Sequence, residues 1–183
     1  LSLLSLAALL VHSCTPTDDQ GSSYPTEPVP FTSVQVSDRF WAPRLKTNHE
    51  VTIPIAIRQS ELTGRIRNFE IAGGLAEGNF CTTYPFDDTD IYKIVEAAAY
   101  SLQTNPDPVL ESRIDSLIKK VGLAQEEDGY LFTVRTIDGD NSHPWIGTRW
   151  EKVNDLSHEL YNLGHMYEAA AAYYRATGKR ELL

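Results

Sequence analysis

The stretches "EAAAYSLQTNPDPVL" (96–110) and "EAAAAYYRATGKREL" (168–182) share a Glu-Ala-rich opening, a helix breaker and a closing leucine, 72 residues apart. A repeat of this kind marks stacked helical hairpins, because one hairpin cannot bury its apolar face alone and must lay it on a neighbour. The alanines favour close approach of adjacent helices. Such hairpins either stack as an open solenoid with a broad concave surface or close into an (α/α) toroid whose loops surround one pocket. A further hairpin begins only at Glu181. Neither architecture closes within 183 residues, so the expectation is an all-α fold seen as an N-terminal fragment.

Apolar periodicity places the helices. Ile91, Ile94, Val95, Ala98 and Leu102 share one face of a helix expected over 90–103, and Leu110, Ile114, Leu117, Ile118 and Val121 one face of a second running to about Gln125. Between them Asp107 is a candidate N-cap, with Pro108 in the first helical position. A further helix is expected from about Leu156 to Thr177, closed by Gly178. Upstream, 44–63 is broadly helical and stops at Gly64, and Pro54 within it must start a helix or kink one. "TSVQV" (32–36) is expected as a short strand, and 64–88, rich in Gly and Thr, as a long structured loop.

The first residues stand apart from this pattern. "LSLLSLAALLVHSC" is an apolar run too short to span a bilayer, and it reads as the end of an export signal. Val11 and Cys14 have the spacing of a bacterial lipobox, so Cys14 is the expected lipidation site and the protein an exported, outer-membrane lipoprotein, periplasmic or surface-facing. Residues 15–30, rich in Pro, Ser, Thr and Asp, read as a flexible tether, leaving 31–183 for the folded domain. With Cys14 so used, Cys81 has no partner for a disulfide and no companions at metal-ligand spacing. The net charge of -9, with no Lys/Arg cluster, excludes a nucleic-acid partner.

Candidate chemistry is concentrated in three places. His158 and His165 lie two turns apart on one helix, and "HELYN" lacks the i+4 histidine of a zinc-binding helix, so no metal site is expected here. His158, at the helix start after Ser157, is the candidate ligand contact, whereas His165, mid-helix among apolar residues, is expected to be packed. Glu159 is an acid/base candidate whose plainer role is at the positive helix end. Asp87, Asp88 and Asp90 suggest carboxylate chemistry, but neighbours on one loop cannot flank a glycosidic bond, and Asp88 or Thr89 is expected to cap the helix. Tyr84, Phe80, Trp145 and Trp150, all in irregular segments, could stack on a sugar or anchor the loops.

Taken together, "RFWAPRL", "GRIRNFEIA", "DDTDIYKIVEAAAYSL", "AQEEDGYL" and "LSHELYNLGHMYEAAAAYYRATGKREL" resemble, in order and spacing, the N-terminal part of the β-L-arabinofuranosidase group, glycoside hydrolase families 127 and 146. The resemblance implies a partial (α/α)6 barrel and a retaining exo-hydrolase of β-L-arabinofuranosides in plant glycans or glycoproteins. It also implies a cysteine thiolate nucleophile held on zinc, with ligands downstream of Leu183. Neither Cys14 nor Cys81 matches those positions, so no catalytic or metal-binding residue is assigned in this chain, and alone it is expected to be inactive and to aggregate. By the same resemblance His158 matches a residue that contacts the arabinose, and Asp90 and then Glu159 are further candidates for substrate binding. Other (α/α) toroid enzymes, such as unsaturated glucuronyl hydrolases and polysaccharide lyases, and a non-catalytic glycan-binding lipoprotein remain the alternatives.

Overall fold

The structure, a computed structural model, describes residues 26–183. Cys14 and the tether as far as residue 25 lie outside the described residues. The chain divides into two units, Leu1–Gln35 and Val36–Leu183. In the described part of the first, Phe31–Ser33 form one 3-10 turn. The strand expected at 32–36 is not formed, and no strand occurs among the described residues. A short alternating run without a partner has no ladder in which to pair its backbone.

The second unit is helical: α1 (Trp41–Thr47), α2 (Ile53–Leu62), α3 (Arg65–Ala72), α4 (Asp88–Thr104), α5 (Pro108–Ala124), α6 (Thr133–Asp138) and α7 (Glu159–Thr177). No helix among the described residues is long and apolar enough to cross a membrane. The expected helix over 44–63 is a single path through α1 and α2, interrupted by a π turn at Asn48–Thr52. The interruption follows from Pro54 in the first turn of α2. Its ring would meet the carbonyl four residues back, and the ladder widens there, so that Ile53 N–H reaches Asn48 O. Asp107 caps α5 as expected, accepting from the N–H groups of Val109 at 2.9 Å and Leu110 at 3.1 Å.

The long loop expected at 64–88 contains a helix, α3, over its first third. Gly64, at φ 88°, closes α2 in the left-handed region and opens α3 directly. Its backbone also lies so close to Cys81 that a Cβ at position 64 would sit 2.6 Å from the Cys81 Cβ. The chain turns there only because the residue is glycine. Ile66 and Phe69 then bury one face of α3.

Helices α2, α4 and α7 form one layer, with α4 central, and α3 and α5 pack behind them. The core joins Ile91, Val95, Ala98 and Leu102 of α4 to Ile114, Leu117 and Val121 of α5, with Ala169, Ala172 and Tyr173 of α7 on the other flank. The alanines at this seam, Ala98, Ala99 and Ala169, are fully buried, which brings the α4 and α7 backbones close. The two helices run parallel: Phe86, just ahead of α4, meets His158, just ahead of α7, and one turn further on Lys93 Nζ donates to Tyr161 Oη at 2.7 Å. The 72-residue repeat is thus the step from one inner helix to the next, with α5 returning the chain behind.

Candidate functional site

Because α4 and α7 are parallel, the segments that lead into them lie at one end of the unit. There the rings of Tyr84, Phe86 and Trp145 gather in near-parallel orientation, with centroids 5.6 to 6.2 Å apart. His158 joins them, its imidazole centroid 4.4 Å from that of Phe86 and 5.7 Å from that of Tyr161. Phe86 belongs to the same "YPFDD" run as the acidic residues, and nothing in the apolar periodicity distinguishes it. The flanking Pro85, which fixes the turn that presents both rings, was the available signal.

His158 is the N-cap of α7 and sits in the left-handed region, at φ 58° and ψ 21°. Its Nδ1 is 2.6 Å from the carbonyl oxygen of Leu156. A carbonyl can only accept, so Nδ1 carries a proton, and in the neutral ring Nε2 is the free acceptor. The fold therefore holds an imidazole in one tautomer beside a group of aromatic faces. That combination accepts a hydroxyl hydrogen while stacking C–H surface, which is how a sugar is bound.

The other candidates go elsewhere. Glu159 is buried, and its carboxylate accepts from Tyr130 Oη at 2.6 Å, the Trp150 N–H at 3.1 Å and Ser157 Oγ at 3.0 Å. Asp90 accepts from Arg65 Nε at 2.5 Å and, with Gln59, Thr63 and Lys93, lines a groove of about 360 Å³ between α2 and α4. Asp87 lies 3.3 Å from the same guanidinium, yet its burial outweighs that charge and raises its pKa. Asp88 does not cap α4, and neither does Thr89: the N-cap is Asp87, without a side-chain bond. Instead Asp88 is fully buried and takes both donors of Thr133, N–H at 2.8 Å and Oγ1 at 2.5 Å, which pins α6 to the start of α4. Desolvation pushes its pKa up to about 7. The three aspartates thus form no acid/base pair.

His165 is in a polar setting rather than an apolar one, with Nδ1 3.0 Å from Glu168 and the ring edge-on to Tyr161. Glu96, His165 and Glu168 bring their ligating atoms within 4.8 Å of one another, the one such group among the described residues. It contains no cysteine. Cys81 instead directs its thiol to Asn79 O at 3.4 Å. A thiolate–zinc centre does not fit the residues described. Trp150 and Phe80 anchor loops: Trp150 stands edge-on to Tyr130, and Phe80 packs on the small cluster of Tyr130, Phe132, Val134 and Ile146.

A family model described as β-L-arabinofuranosidase, GH127 catalytic domain, matches residues 33–183. A non-reducing end β-L-arabinofuranosidase of Bifidobacterium longum subsp. longum is 36% identical over 118 residues, 64% of this chain and 17% of that protein. Among solved structures, a GH127 β-arabinofuranosidase superposes with a TM-score of 0.81 at 52% identity, covering 87% of this chain and 25% of its own. A GH127 β-L-arabinofuranosidase from Geobacillus stearothermophilus T6 gives 0.71 at 39% identity, covering 81% and 23%. The chain therefore spans a quarter or less of the length of these relatives.

Proposed function

As the chain belongs to the GH127 β-L-arabinofuranosidase catalytic-domain family, we propose that it is the N-terminal part of an (α/α) barrel in a longer enzyme that releases β-L-arabinofuranose from plant glycans or glycoproteins, with retention of configuration. The observation that carries this reading is His158, held in one tautomer at the mouth of α7 against Phe86, with Tyr84 and Trp145 alongside. Its Nε2 accepts a hydroxyl hydrogen of the furanose, and the rings take up the apolar sugar face. Such a group binds and orients; it does not cleave. The thiolate and the zinc that would hold it belong to residues outside this chain, and no described side chain takes their place.

The test is hydrolysis of an aryl β-L-arabinofuranoside, beside its α-L anomer, by the full-length enzyme. Turnover of the β anomer alone is expected. Turnover of another glycoside with none of the β-L-arabinofuranoside would overturn the proposal.

A further inference from the structure

Glu159 adjoins the proposed sugar contact, yet its carboxylate is turned inward and only 4% of the residue is exposed. A buried carboxylate is costly unless donors surround it. Here the three donors come from separate places: Tyr130 ahead of α6, the backbone of Trp150, and Ser157 immediately before the cap. The segment from 150 to 158 also has an unusual backbone. Trp150, at φ 68°, and His158, at φ 58°, are two of the three non-glycine residues at positive φ among the described residues. Each such residue is strained and persists only where its surroundings over-determine it. Both ends of this segment are tied to the one carboxylate, Trp150 by its own N–H and His158 through the adjoining Ser157 hydroxyl.

We propose that Glu159 is a positioning residue: its buried carboxylate, bonded to Tyr130, Trp150 and Ser157, holds His158 in its left-handed cap with the imidazole against Phe86, and it acts on the sugar only through that ring. The assignment rests on the reading of His158 as a sugar contact. It also withdraws Glu159 from acid/base work, because both carboxylate oxygens are occupied by protein donors. Glutamine is no test of this, because its carbonyl can keep the Tyr130 and Trp150 donors while its amide donates to the Ser157 hydroxyl. Leucine, of similar length and without an acceptor, removes all three bonds and leaves the part-buried Trp150 N–H without a partner.

The test compares Glu159→Leu, the milder Tyr130→Phe, His158→Asn and the double variant His158→Asn/Glu159→Leu in the full-length enzyme. Glu159→Leu is expected to lower kcat/KM on an aryl β-L-arabinofuranoside by about 10-fold, a displaced contact rather than a deleted one. It should also abolish the nuclear Overhauser contact between the His158 and Phe86 rings while helicity is retained. Tyr130→Phe, which leaves two donors, should weaken that contact less. The double variant should be no slower than His158→Asn alone, because the two residues act as one unit. Additive losses would mean that Glu159 touches the sugar itself, and a preserved ring contact in Glu159→Leu would mean that it does not position His158. Either result overturns the proposal. If His158→Asn alone leaves kcat/KM unchanged, the reading of His158 fails, whereas the ring contact still decides whether Glu159 holds it.

Discussion

Asp88→Asn is expected to flatten the dependence of stability on pH between about pH 4 and 7, and at pH 8 to leave the variant more stable than the wild type. Burial lifts the Asp88 pKa from 3.8 to about 7, against the lowering effect of the two Thr133 donors and with a further push from Asp87. The folded state therefore keeps a proton that the unfolded state releases above about pH 4. By linkage, the stabilisation is fully present below the unfolded pKa, declines as pH rises, and is lost once the folded group ionises near pH 7. A shift of this size corresponds to roughly 4 kcal/mol, large beside a total stability of about 5–15 kcal/mol. Asparagine keeps the shape without a charge: its carbonyl accepts the Thr133 N–H, and its amide donates to Oγ1. Asp87, also raised, leaves a smaller slope of the same sign. Denaturant melts from pH 4 to 8 check this, and parallel curves for the two proteins would refute it.

His158→Asn is expected to cost about 10²-fold in kcat/KM on β-L-arabinofuranosides. Asparagine is chosen because it tolerates the left-handed region that alanine would occupy at a penalty, so the cap survives and the ring alone is lost. Deleting the Nε2 acceptor strands a sugar hydroxyl at about 1–3 kcal/mol, and losing the ring removes the stacking partner of Phe86. The loss should fall mainly on KM if the contact is made equally to substrate and transition state, and on kcat if it strengthens as the bond breaks. Steady-state kinetics on an aryl glycoside separates the two. Unchanged kcat/KM would remove His158 from the site.

The helical layers were legible because periodicity and repeats record packing. The faces read for α4 and α5 are the buried ones, and the 72-residue offset is the step between parallel inner helices. Short elements were not legible. At eight residues bounded by glycines, α3 carries too few apolar positions to show a period, and the six-residue α6 depends on Asp88 and Thr133, 45 residues apart. For the site, His158 stood out by its place at a helix start, whereas Phe86 and Tyr130 did not, since their roles arise only when parallel helices bring distant loops together. Asp88 misled for the same reason: an aspartate before a helix resembles a cap until the fold supplies a different donor.

The most direct measurement of where the sugar binds is a titration of the full-length enzyme with L-arabinose, following the ring resonances of the histidines and tryptophans. Saturable shifts of His158 and Trp145, with those of His165 and Trp150 nearly still, are the expected result. Saturable binding that leaves His158 and Trp145 unmoved would contradict the account.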